Sequence, residues 1–329
     1  MKDGIMNKLF LILLMTCLAT TGCTQRKQGP PTARNLVKIR FGELGISATN
    51  LFLDLGVQKG FFAEEGIDLD IKHFNGGGPE SITAAAAGEV EMGSAGSPVI
   101  VGISKGVPIK IVSSPPIKGN SFVLVRRPEV KGIEELKGKK IGVSSIGGGA
   151  HQSLRRIAAT KGLSPDQYQV LATGTGGTGY ASLQSGKVDA IVTSEPWVTK
   201  VEQDGIGKVL ANADDYYKNY QHSGIFATTK FIGSNPEAVR GFLKGYRKSA
   251  EYAKNHQDEL LALAKKELQF DEKLLRTLYA KTIPRWDTTG SVDLKALANT
   301  LTILKEVGDL DSRVSLTAEQ LVDLRFISQ

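Results

Sequence analysis

Cysteine is nearly absent from this 329-residue chain, which has two. Cys17 lies inside the leading apolar stretch and Cys23 follows it, so removal of the leader before Cys23 leaves one. An internal disulfide and a cysteine metal cluster are then both excluded, and a body of this length can build a core without such bridges. Histidine is scarce as well. His73, His151, His222 and His256 stand apart, with no H-x-x-x-H spacing, and no metal site or cofactor is expected. No Walker sequence occurs, so the chain does not hydrolyse ATP itself. The formal net charge of +7 is spread along the chain and provides no footprint for nucleic acid. No long apolar run occurs either: residues 9–19 (LFLILLMTCLA) fall well short of the roughly 20 that a membrane-spanning helix needs. At 41% hydrophobic and 23% charged residues, a wholly disordered chain is excluded.

The N-terminus reads as an export signal. Lys2 and Lys8 form a basic region, the apolar run follows, and Thr20-Thr21-Gly22-Cys23 ends it. That ending resembles a bacterial lipobox, although Thr20 stands where leucine is commoner. The resemblance implies cleavage after residue 22 and lipidation of Cys23; an ordinary signal peptide with an incidental cysteine is the competing account. Residues 23–35 are polar and proline-containing, a flexible tether. The body would then work at a bacterial membrane surface, facing the periplasm or the cell exterior, as a monomer.

From residue 36 the pattern alternates between strands and helices. Strands are expected at 37–44, 68–74, 91–95, 109–113, 140–144, 168–172, 189–194 and 223–232. Helices are expected at 79–88, 97–105, 150–161 and 180–185. This is an α/β pattern with mostly parallel sheets flanked by helices. Asn235-Pro236-Glu237 would then cap a helix carrying Val239, Phe242, Leu243, Tyr246, Ala250 and Ala253 on one face.

The chain also repeats itself. Ala87-Gly88-Glu89-Val90-Glu91 with Ser97-Pro98 lines up with Ser185-Gly186-Lys187-Val188-Asp189 and Glu195-Pro196, and Ile39 to Ala48 lines up with Ile141 to Ala150. Two lobes of one plan are expected: residues 36–123 with 226–329, and residues 124–225, joined by extended crossings near 121–126 and 221–227. Ligands bind beyond the carboxyl ends of strands in open parallel sheets, so the loops at those ends should face one another across a hinged cleft.

Those loops are rich in Gly, Ser and Thr and lead into helix N-termini, whose free N–H groups suit an anionic or carbonyl-bearing solute. Gly147, Gly148 and Gly149 allow close approach, and His151 in the next turn could donate. Ser47, Thr49, Ser94, Ser97 and Thr175 offer hydroxyls; helix capping alone is the competing reading of the first four. Glu195 could cap a helix begun by Pro196 or face the cleft, and Trp197 could wall a pocket and stack. Residues 174–179 (GTGGTG) satisfy G-x-G-x-x-G, so a nucleotide-binding lobe is a rival, but the helix that follows is short and no catalytic set stands near.

Residues 59–67 (KGFFAEEGI), 88–98, 136–143 (LKGKKIGV) and 186–197 (GKVDAIVTSEPW) occur in the order in which similar blocks occur in a known family. Over residues 36–250 the chain resembles the solute-binding proteins of ABC transporters for nitrate, sulfonates and taurine, a group that also takes in binders of thiamine-pyrimidine precursors. The resemblance implies a two-lobed type II periplasmic-binding fold. The solute would lie between the lobes, touched by Ser47, Ser97, Gly149, His151, Glu195 and Trp197, and an ABC permease with its ATPase would be the partner. Two alternatives stand beside this. One is an enzyme like the pyrimidine-precursor synthase of the same superfamily, which uses a Cys-rich motif this chain lacks. The other is a sensory subunit reporting to a membrane kinase. No arginine lies in the rim loops, which weakens the case for a strongly anionic solute.

Overall fold

Every second side chain of a strand faces the same way. In VKIRFGEL this puts Ile39 and Phe41 in the core at 0% exposure, while Lys38 is exposed. In the computed structural model, which describes residues 36–117 and 119–327, this segment is β1 (Val37–Leu44). β2 (Ile67–Phe74), β3 (Met92–Gly96), β4 (Ile109–Ser113) and β5 (Val123–Arg126) follow. After them come β6 (Lys140–Val143), β7 (Gln169–Ala172), β8 (Ala190–Thr193), β9 (Lys208–Asn212) and β10 (Ser223–Thr228). The expected leader, Cys23 and tether lie outside the described residues. Among the described residues no helix is long and apolar enough to cross a membrane.

The strands form two five-stranded sheets, ordered β2-β1-β3-β10-β4 and β7-β6-β8-β5-β9. In each, the first three strands pair in parallel and the fourth runs antiparallel between its neighbours. Position for position the sheets match, β1 with β6 and β3 with β8, as the repeat in the sequence requires. The match extends to a turn. The helices Gly78–Ala86 and Gly177–Gln184 are followed by Gly88 and Gly186, both at φ +75, a backbone region that glycine enters without steric cost.

Each sheet has a core on both faces. Over the first sheet, Phe41 stacks on Phe242 at 5.0 Å between ring centres, and Phe52 and Tyr246 complete that layer. Ile82, Ile100 and Ile111 fill the other side. Leu124, Val143 and Leu154 lie on one side of the second sheet, and Val125, Leu183 and Ile191 on the other. All six apolar positions read from the sequence onto the helix Pro236–Asn255 are buried.

Several local expectations change. The strand expected at 223–232 ends at Thr228, whose hydroxyl accepts from the Phe231 N–H and starts the helix Thr229–Ser234. Asn235 occupies the N-cap of the next helix without a side-chain cap; its amide donates to Ser234 instead. The segments expected as crossings are largely strands, since Val123 already belongs to the second sheet and Ser223 to the first. The chain passes between sheets at residues 114–122 and 213–222. A third tie is the helix Leu294–Glu306. Its Leu297, Leu301 and Leu304 pack with the first sheet, whereas Ile303 enters the core of the second.

Candidate functional site

The carboxyl ends of the parallel strands in both sheets open on one cleft of about 510 Å³. The two rims approach closely: a Cβ on Gly45 of the first lobe would lie 3.0 Å from Thr175 Oγ1 of the second. The helices Gly78–Ala86, Gly149–Ala159 and Gly177–Gln184 start at the cleft wall, and none has a side-chain cap on its first turn. Their free N–H groups give that wall an electropositive character.

The floor of the first lobe is built across three strands. Glu43 continues the buried column of Ile39 and Phe41, and its register partner on β2 is His73. On the other side, Ser94 of β3 donates its hydroxyl to Glu43 Oε1 at 2.6 Å, and the Leu44 N–H reaches the same oxygen at 2.8 Å. Asn50 shapes the rim loop above. Its amide donates to the carbonyls of Leu44 and Gly45 at 2.9 and 3.0 Å, and its Oδ1 accepts from the Ser47 N–H at 2.9 Å. Burial pushes the Glu43 carboxyl up to about 7, against the opposing pull of Ser94 and the Leu44 N–H. Burial also pushes His222, just before β10, down to about 4, so it is neutral at ordinary pH.

The wall of the second lobe is different. Trp197 lies over the glycine loop, where a Cβ on Gly176 or Gly177 would come within 3.2 or 3.1 Å of the indole. The glycines of the G-x-G-x-x-G run thus give the indole a flat seat, with Tyr180 at 5.5 Å and Phe270 at 5.1 Å between ring centres. Glu195 accepts from the Thr199 N–H at 3.0 Å and the Thr199 hydroxyl at 2.9 Å, and it faces Lys281 at 3.6 Å. It therefore both holds a first-turn N–H of the helix Trp197–Gln203, whose N-cap is Pro196, and lines the cleft.

Of the residues singled out from the sequence, Ser47, Thr49, Ser94, Gly149, Thr175, Glu195 and Trp197 come together on the cleft wall. The structure sets Ser97, Gly148 and His151 back from it. Ser97 is 1% exposed beneath the start of the helix Pro98–Ser104. Gly148 packs its α-carbon against Ser145, one residue before the chain turns Gly149 toward Phe122 and His222. His151 turns its Nδ1 back to accept from the Gly147 N–H at 3.0 Å. Glu43, His73, Asn75, His222 and Tyr246 line the cleft and were not foreseen; for Glu43 a sign was present, a carboxylate in the inward column of a strand. Among the described lining residues there is no lysine or arginine. Among the described residues no group of three or more His, Cys, Asp or Glu side chains is placed to hold a metal ion.

Comparison with known proteins places these features in a lineage. A family model described as NMT1/THI5 like matches residues 51–260. The taurine-binding periplasmic protein of Escherichia coli (strain K12) is 27% identical over 288 residues, which cover 81% of this chain and 86% of that protein. More distantly, 4-amino-5-hydroxymethyl-2-methylpyrimidine phosphate synthase of Candida albicans (strain WO-1) is 25% identical over 223 residues, 62% of this chain and 63% of that one. Among solved structures, the alkanesulfonate-binding protein SsuA of Xanthomonas axonopodis pv. citri, bound to MOPS, superposes with a TM-score of 0.74 at 18% identity. The match covers 86% of this chain and 97% of that one. The fold is the two-lobed periplasmic-binding fold that the sequence led us to expect.

Proposed function

The chain belongs to the NMT1/THI5-like family, and on that premise we propose that it is the extracytoplasmic solute-binding component of an ABC importer. It captures a small polar or anionic organic solute of the nitrate, sulfonate and taurine kind between its lobes and delivers it to a permease served by a separate ATPase. A lipid on Cys23 holds it at the membrane surface. The lobes are residues 36–123 with 226–329, and residues 124–225, to within the few residues noted above.

One observation carries this reading. Two sheets of matching plan meet at a cleft of about 510 Å³ walled by strand-end loops and three uncapped helix starts. A space of that size suits a small molecule. Ser47, Thr49, Ser94, Gly149, Thr175, Glu195 and Trp197 are the residues that would touch the solute. Binding rather than turnover is favoured by the state of the polar side chains. Ser47 bonds Thr49 at 3.0 Å, Ser94 donates to Glu43, and Glu195 is held by Thr199. Among the described lining residues no hydroxyl is hydrogen-bonded to a histidine as an activated nucleophile would be.

The test is a thermal-shift screen of the tether-free body against nitrate, sulfonates, carboxylates and pyrimidines. A solute that binds the folded form raises the melting temperature by mass action. Stabilisation accompanied by conversion of the solute would favour the enzyme instead. The anchor is tested separately: Cys23→Ser should abolish incorporation of labelled palmitate in cells, and continued labelling would overturn the lipobox reading.

A further inference from the structure

β1 ends its buried column on a carboxylate. Glu43 is 6% exposed, and a carboxylate in such a place is unfavourable unless a cation or several donors meet it. The close donors are the Ser94 hydroxyl and the Leu44 N–H, both on Oε1, with a further favourable contact from the Asn50 amide. The titratable groups facing Glu43 from the packed elements are His73 on β2, Asp54 on the helix Phe52–Gln58 and Tyr246 on the helix Pro236–Asn255, and His222 beside β10 lines the same cleft. Asp54 and Tyr246 cannot bring positive charge, burial keeps His222 neutral, and His73 acts electrostatically on Asp54 and not on Glu43. The second carboxylate of the cleft has a lysine opposite it at 3.6 Å; among the described residues Glu43 has no such ion pair. It sits at the cleft floor with its counter-charge missing.

We propose that Glu43 sets the specificity of the cleft by pairing with a cationic nitrogen of the solute, an ammonium or amidinium group. The receptor then prefers amine-bearing solutes over molecules of the same shape without the amine. This deepens the reading of the cleft as a solute site and rests on it. A cation on the floor replaces the water that burial removed, and a charge-assisted hydrogen bond in a site closed from solvent is among the stronger polar contacts. The pairing also links binding to proton release. A cationic solute needs Glu43 ionised, so its affinity falls as the pH drops through about 7, the point to which burial lifts this carboxyl. A solute offering only acceptors needs the protonated acid, and its affinity would rise over the same range.

The experiment uses matched probe pairs that differ by the cationic nitrogen: taurine and ethanesulfonate, β-alanine and propionate, benzamidine and benzamide. Calorimetry on the wild type and Glu43→Gln at pH 8 and pH 6 is the readout, with melting curves confirming that the variant is folded. The expected result is an amine-bearing probe that binds at least about tenfold more tightly than its partner at pH 8. Its affinity should drop about tenfold at pH 6, and Glu43→Gln should lose the preference. Equal binding of both members of each pair, affinity that rises toward pH 6, or a preference that survives in Glu43→Gln would overturn the proposal while leaving the cleft a solute site. If no probe binds even at millimolar concentration, both readings fall together.

Discussion

Two glutamates line one cleft, and their surroundings are opposite. Glu195, on the second lobe, accepts from the Thr199 N–H and hydroxyl and faces Lys281; its charge is answered within the protein. Glu43, on the first lobe, has hydrogen bonds to Ser94 and Leu44 and no cation, and burial pushes it up to about 7. The difference separates a carboxylate that shapes a wall from one held ready for a partner. The first fixes a helix start and a tryptophan beside it. The second keeps an electrostatic demand that the folded chain does not meet.

That contrast can be broken most directly at Glu43. A carboxyl raised from its ordinary 4.5 to about 7 is bound to its proton more tightly in the folded chain than in the unfolded one. Its effect on stability is then nil below about pH 4.5, grows unfavourable between about 4.5 and 7, and levels off above 7 at up to about 3 kcal/mol. Glu43→Gln should therefore stabilise the protein at pH 8 and leave it nearly unchanged at pH 4. Denaturant melts at the two pH values check this, and an equal effect at both would erase the distinction between the two glutamates. A smaller effect is expected from the aromatic side of the second wall. Trp197→Ala should weaken solute binding by about tenfold, the loss of about 1.5 kcal/mol of stacking. Trp286 is 3% exposed, packs on Phe52 at 5.6 Å and does not line the cleft. Trp286→Ala should instead lower stability by about 3 kcal/mol or more with little change in affinity. Calorimetry and melting on both variants decide it, and equal affinities would take Trp197 out of the pocket. The smallest effect belongs to Lys281→Ala. Lys281 is half exposed, and Glu195 keeps both bonds from Thr199, so a loss of about 0.5 kcal/mol is expected, shrinking further in high salt. A loss several times larger would mean that Glu195 depends on its cation as Glu43 depends on the solute.

Much of this architecture was legible in the chain. Alternation in 37–44 and the repeat of 87–91 in 185–189 are backbone-level signals, because strand pleat and glycine turns leave a period or a fixed residue behind. β9 was not foreseen, because KVLAN is a short outer strand with one buried position. Within the site, loops could be placed but directions could not. Gly148 and Gly149 are neighbours, yet one turns to Ser145 and the other to the cleft, and nothing in a run of glycines marks where the chain rotates. Lys281 was invisible for another reason. It is one of two lysines, with Lys273, on the helix Glu272–Thr282, and only tertiary packing brings it to Glu195. Glu43 was the opposite case, an acid closing an apolar column, readable once a strand is counted by twos.

The helix Leu294–Glu306 has a consequence for how such a receptor empties itself. Its leucines are seated in one half of the molecule and Ile303 in the other, with Arg155 to Asp309 at 2.7 Å and Arg156 to Glu306 at 3.0 Å fastening the same seam. On the proposed reading, an opening that separates the two cores at this helix would expose Ile303, at a cost on the order of 1.5–3 kcal/mol. Opening would then work against a load, and a side chain remote from the proposed site would help to set how firmly a solute is kept.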